Sequence, residues 1–170
     1  MRIAAVISIC LAVMALVPAL RAQEVAAVAE NGISEGVALT VIDRWRADPT
    51  TIFDASEIDL PALEYIARPL VVFADNPNQP DFIEQVRLLQ AGMSGLVPRD
   101  VIVITDSDPA ARTAVRSTLR PRGFSLVLMD KDGRVALRKP EPWDVREITR
   151  QIDKFPSRQD ELLGPRPEGR

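Results

Sequence analysis

Apolar and polar positions fall into strand-length and helix-length blocks from residue 69 onward. Pro69-Leu70-Val71-Val72-Phe73-Ala74 and Asp100-Val101-Ile102-Val103-Ile104-Thr105 are near-continuous apolar runs. Such runs predict strands covered on both faces. Phe124-Ser125-Leu126-Val127-Leu128-Met129 predicts a third. Arg134-Val135-Ala136-Leu137-Arg138 alternates, as a half-exposed edge strand does, and Asp130-Lys131-Asp132-Gly133 before it reads as a hairpin turn. Phe82, Val86, Leu89 and Met93 share one helical face, predicting a helix from Asp81 to about Ala91, with Gly92 and Gly95 as stop signals. Asp108 as cap and Pro109 at the first position predict a second helix to about Arg120. A last helix starts at Pro142, presents Val145, Ile148, Ile152 and Phe155, and ends at Pro156. Upstream the pattern is weaker: Ser34–Arg46 reads as a short helix or a strand with a turn, and Asp59–Ile66 as a short helix.

The order from residue 69 is strand, helix, strand, helix, strand, strand, helix. Crossovers through helices imply parallel neighbours, and the final hairpin adds an antiparallel strand. The expected fold class is α/β: a thioredoxin-like three-layer sandwich, with a central mixed four-stranded sheet and helices on both faces.

The first residues carry different information. Arg2 precedes an apolar stretch from Ile3 to Leu20, followed by Arg21-Ala22-Gln23. A basic start, an apolar middle and small residues at the end predict a cleavable export signal at residues 1–22. The expected organisation continues with an N-terminal lead-in at 23–58, a thioredoxin-like domain at 59–161 and a disordered tail at 162–170. Periplasmic or secreted localisation follows, with no membrane attachment once the signal is gone. The 170 residues carry a formal net charge of −3. That acidity argues against a nucleic-acid surface.

The chain has one Cys, Cys10, and no His. Cys10 lies in the expected signal. The processed chain therefore lacks thiol, disulfide and imidazole. Thiol-disulfide exchange, peroxide reduction, Ser-His-Asp and Cys-His catalysis and zinc-finger sites are excluded. No cofactor or metal is expected.

Arg68-Pro69-Leu70-Val71-Val72-Phe73-Ala74, Gln85, Phe124 through Gly133, Leu137-Arg138, Pro142-Trp143 and Ile152-Asp153-Lys154-Phe155-Pro156-Ser157-Arg158 together carry a family likeness. As an ordered set they resemble a bacterial exported domain-of-unknown-function family. That family is similar to the DUDES-type thioredoxin-like domains of sushi-repeat and Equarin-like extracellular proteins. The resemblance covers about residues 60–161 and implies no enzymatic activity. Thioredoxins carry a redox pair where the first core strand opens into its helix, and a cis-Pro before the strand that leads to the hairpin. Asp75-Asn76-Pro77-Asn78-Gln79-Pro80 and Phe124-Ser125 hold those places here.

Several constellations admit two readings. Asp75, Asp106 and Asp108 sit at expected strand ends, where open α/β sheets bind ligands. They are either a metal-dependent hydrolase's ligands or a turn residue and a helix cap. Asp130-x-Asp132-Gly133 reads as a hairpin turn, because too little chain follows it for a phosphatase domain. Arg outnumbers Lys 18 to 3. Arg87, Arg112, Arg116, Arg146 and Arg150 read as solvated helix faces. Arg68, Arg138 and Arg158 sit at element ends. Trp45 and Trp143 read as core or staple residues.

The expected function is non-catalytic binding of an unknown protein or envelope component. The candidate partner-binding residues are Asp75, Asn76, Asn78, Gln79, Gln85, Lys131, Arg138 and Arg158. The alternatives are the hydrolase and a structural envelope component.

Overall fold

The computed structural model describes residues 39–164. The expected signal, the start of the lead-in and the tail beyond residue 164 lie outside the described residues. A compact unit begins at Leu39.

The elements run α1 (Val41–Ala47), β1 (Ile52–Asp54), β2 (Arg68–Phe73), α2 (Pro80–Leu96), β3 (Val101–Asp106), α3 (Ala114–Leu119), β4 (Ser125–Met129), β5 (Val135–Lys139), α4 (Val145–Ile152) and α5 (Pro156–Leu163). One sheet holds the strands in the order β1-β3-β2-β4-β5. β1 and β2 are parallel to β3, while β2–β4 and β4–β5 are antiparallel.

Alternation along the strands sorts the core into two layers. Val71 and Phe73 of β2, Ile102 and Ile104 of β3 and Val127 of β4 face Trp45 of α1 and Val115 and Leu119 of α3. Leu70 and Val72, Val101 and Val103, and Leu126 and Leu128 face Leu89 and Met93 of α2 and Ile148 and Ile152 of α4. Neither face meets water, so the central strands read as unbroken apolar runs. Each such side chain contributes about 1.5–3 kcal/mol when fully buried. This is the thioredoxin-like sandwich, with five strands rather than the four expected.

The fifth strand lies inside the segment taken as a lead-in. Its three residues, Ile52–Asp54, are too few to show a period, yet Ile52 and Phe53 pair with Val103 and Ile104. α1 lies in that segment too. Thr40 caps it with a reciprocal box: its hydroxyl accepts from the Asp43 amide at 3.2 Å, and its own amide donates back to the Asp43 carboxylate at 3.3 Å. The expected helix at Asp59–Ile66 is only a 3₁₀ turn, Pro61–Leu63.

Three helix boundaries also differ. α2 passes through Gly92 and Gly95 to Leu96. A Cβ on Gly92 would come within 2.6 Å of Val145 Cβ, so this glycine lets α2 and α4 approach. The expected helix from Asp108 breaks into a 3₁₀ turn, Pro109–Ala111, and α3. Arg112 between them turns left-handed (φ 46°), and Thr113 caps α3 by accepting from the Arg116 amide at 3.0 Å. Pro156 opens α5 instead of closing a helix, because its missing N–H costs nothing in a first turn. Leu162 and Leu163, placed in the expected tail, finish α5.

Candidate functional site

The sheet has two ends with opposite character. β2 and β3 begin at one, beside the Asp130–Gly133 hairpin. They finish at the other, where β4 starts: Phe73 pairs with both Asp106 and Ser125.

At the first end Arg68 opens β2 with no exposed surface. Its five N–H groups meet five acceptors. Nε donates to Asp130 Oδ1 at 3.0 Å, and Nη1 to the Arg99 carbonyl at 3.0 Å and Glu161 Oε2 at 3.3 Å. Nη2 donates to Ser157 Oγ at 2.8 Å and Glu161 Oε1 at 2.9 Å. Ser157 Oγ in turn donates to the Asp130 carboxylate at 2.7 Å. Burying a guanidinium is costly unless it is paired and every donor is satisfied, and both conditions hold. Lys131 and Arg158 join the cluster. Lys131 Nζ donates to Asp100 at 2.7 Å and lies 2.9 Å from Glu161; Arg158 Nη1 donates to Glu161 at 3.0 Å. Three cations thus balance Asp100, Asp130 and Glu161.

Burial alone would raise the Glu161 carboxyl, but hydrogen bonds from Arg68, Lys131 and Arg158 outweigh it and hold the group at about 2. Burial would lower the Lys131 ammonium, but bonds to Asp100 and Glu161 hold it above its ordinary value. This network ties α5 to the sheet. Lys131 and Arg158, read as partner-binding, are engaged inside the protein. Gln85 is likewise internal: fully buried, it donates to the Trp143 carbonyl at 3.0 Å and accepts from the Trp143 amide at 2.7 Å. It fastens α2 to the β5–α4 connection and presents nothing to a partner. Beside the network, Trp45, Tyr65 and Asp100 line an open cavity of about 460 Å³.

At the second end the Asp75–Gln79 loop leaves β2. Asp75, Asn76 and Asn78 are exposed and Gln79 is partly so. The loop is shaped by its own side chains: Gln79 Oε1 accepts from the Asp75 amide at 3.2 Å, and Asn76 Oδ1 from the Asn78 amide at 3.0 Å. The side chains of Asp75 and Asn78 make no hydrogen bond among the described residues, so they are the two free to meet a partner. Arg138, near the end of β5, is exposed at this same end.

The three carboxylates of the hydrolase alternative do not gather. Asp106 is buried, and Arg116 holds it through Nε at 2.9 Å and Nη2 at 2.7 Å. Thr113 donates to its other oxygen at 2.7 Å. Arg116 Nη2 also reaches the Ala74 carbonyl at 2.8 Å, and the guanidinium lies 5.4 Å from the centre of the Phe73 ring. Arg116 is therefore a clamp across the ends of β2 and β3, not a solvated face. Asp108 caps the 3₁₀ turn by accepting from the Ala110 amide at 2.9 Å. No group of three carboxylate, imidazole or thiol ligands is placed to hold a metal ion among the described residues.

The sequence reading thus splits: Asp75–Gln79 and Arg138 share one end, while Lys131 and Arg158 stand at the other. It missed the Arg68 hub, the signal for which was a lone charge opening an otherwise apolar strand. It named Arg138 but missed Arg120, Arg122 and Lys139, which line one cleft with it beside β4 and which only folding brings together.

The strand order, the two covered faces and the loop at the end of β2 define a thioredoxin-like domain that carries no thiol pair. More particularly, residues 59–161 match the family described as "Domain of unknown function (DUF4174)", and the chain belongs to that family. No curated protein matches it. Among solved structures the chain is similar to chloroplastic thioredoxin z at 18% identity, covering 62% of this chain and 96% of that one with a TM-score of 0.48. It is also similar to Plasmodium yoelii thioredoxin peroxidase I at 15% identity, covering 65% of this chain and 84% of that one with a TM-score of 0.49.

Proposed function

We propose that this member of the family is an exported, non-catalytic recognition protein that binds a protein or envelope component through the β2–α2 loop. Kinship with the bacterial exported and DUDES-type extracellular domains, a cleaved signal at residues 1–22 and a periplasmic or secreted location belong to the same proposal. No helix among the described residues is long and apolar enough to cross a membrane.

One observation carries the reading. An exposed, self-braced loop stands where thioredoxins keep their redox pair, and the chain's one cysteine, Cys10, lies far from it in sequence. A loop whose conformation is fixed by Asn76 and Gln79 loses little freedom on binding, which favours recognition. Electron transfer through paired thiols is closed to this chain, since one sulfhydryl forms no internal disulfide.

The test follows from the division of labour in the loop. Asp75→Ala and Asn78→Ala together should abolish capture of an envelope partner from extract by the purified protein. The melting temperature should stay near that of the parent. Capture that survives removes the loop from the function. Absence of any saturable partner for the parent protein would support the structural envelope component instead.

A further inference from the structure

We infer that the cleft between the α3–β4 connection and the end of β5 seats a carboxylate-rich extended peptide. The inference rests on the recognition reading and names the chemistry of the partner. The cleft, of about 410 Å³, is bounded by Arg120 and Arg122 on one wall and Arg138 and Lys139 on the other, with Phe124 and Ser125 in the lining. No carboxylate among the described residues lines it. It belongs to the same end of the sheet as the Asp75–Gln79 loop, because Ser125 pairs with Phe73 and a Cβ on Gly123 would lie 3.8 Å from Asp75 Oδ2.

These cations differ from those elsewhere in the domain. Arg68, Arg99, Arg116 and Lys131 are each consumed by a carboxylate of the fold. Arg120, Arg122 and Arg138 have no ion-pair partner among the described residues, and their side chains bond no backbone carbonyl. Lys139 stacks its ammonium 4.1 Å from the centre of the Trp143 ring, which fixes where its charge sits. In a chain of net charge −3, four cations around one acid-free cleft are a local reversal of sign. Such a patch steers an anionic partner and sets its register.

The shape selects a peptide over a compact phosphate. The positive charges come from two separate elements and flank the cleft. α3 turns its C-terminal end, Leu119, toward it, so the cleft lacks the ring of free N–H groups with which a helix N-terminus cradles a compact phosphate. A compact phosphate meets one wall's pair of cations, whereas carboxylates spaced along an extended peptide meet both pairs.

Fluorescence anisotropy of a labelled peptide of alternating Glu and Val tests this on the purified protein. We expect saturable binding that weakens as salt rises. The Gln–Val peptide should bind at least about tenfold more weakly. Arg120→Glu with Arg138→Glu should cost about tenfold or more in affinity, and Arg122→Glu with Lys139→Glu the same, so misfolding of one pair leaves the other as a test. Arg146→Glu, at an exposed position on α4 outside the cleft lining, should change affinity little. The inference fails if the Glu peptide does not bind, if both peptides bind alike, or if both folded double variants bind as the parent does. It also fails if inorganic phosphate displaces the peptide where chloride of equal ionic strength does not. The peptide assay does not depend on envelope extract. Its failure with capture intact removes the cleft alone, whereas lost dependence of capture on Asp75 and Asn78 with peptide binding intact removes the loop alone.

Discussion

The two ends of the sheet treat charge in opposite ways. Where β2 begins, Arg68, Lys131 and Arg158 are bonded to Asp100, Asp130 and Glu161, and the cluster locks α5 and the hairpin onto the strands. Where β2 finishes, Asp106 and Arg116 are paired inward, while the side chains of Asp75, Arg120, Arg122 and Arg138 have no ion-pair partner among the described residues. The residues of the Asp130-Lys131 turn and the Ser157-Arg158 segment, which carry much of the family likeness, converge at the first end. Their convergence makes a structural clamp, and the recognition surface is sought where the charges are unspent.

The largest effect should come from the clamp itself. Arg68→Met removes all five donors and leaves Asp130 and Glu161 facing each other partly buried. We expect a loss of about 3–5 kcal/mol in urea unfolding. An unchanged midpoint would show that the network contributes nothing and erase the contrast between the ends. Next comes the contact of α2 with α4. Gly92→Ala drives a methyl into Val145 and should cost about 1–3 kcal/mol. Pairing it with Val145→Ala should recover part of that loss, a coupling that a double-mutant cycle reads directly.

Acid should act at the first end. Glu161 titrates at about 2 in the folded protein against 4.5 for the free side chain. A lowered folded value means its contribution is fully present above pH 4.5 and is lost as pH falls toward 2. Stability should therefore decline through that window, and Glu161→Gln should flatten this part of the profile. A decline of the same slope in the variant would remove Glu161 as its source. The smallest effect is expected at the second end: Asp75→Ala with Asn78→Ala should shift stability by no more than about 0.5 kcal/mol. A larger loss would mean that the loop supports the fold, and the ends would no longer differ in kind.

Much of the sandwich was legible from residue order. Leu70–Phe73 and Val101–Ile104 announce buried strands because water reaches neither face, and the Asp130–Gly133 turn announces the hairpin because Gly133 supplies a positive φ of 77°. The places that misled have local causes. Ile52–Asp54 is too short to show a period, although long-range pairing with β3 makes it a strand. Gly92 looked like a stop because its reason, Val145, lies more than fifty residues away along the chain. Lys131 looked like an exposed hairpin-tip group because polarity reports what a side chain is, not what it meets. Of the candidate site, the exposed loop could be placed from sequence, whereas the cleft walls are separate segments that share no pattern.

By itself the sequence determined the chemistry that is closed to this chain and the alternation that builds a two-faced sheet. Both follow from residue identity: one cysteine forms no internal disulfide, and unbroken apolar runs must be covered on both sides. The tertiary structure decided which charges are spent and which are free. Whether Arg68 or Arg138 keeps its charge for a partner depends on carboxylates up to 93 positions distant, and only the folded chain brings such groups within hydrogen-bond reach.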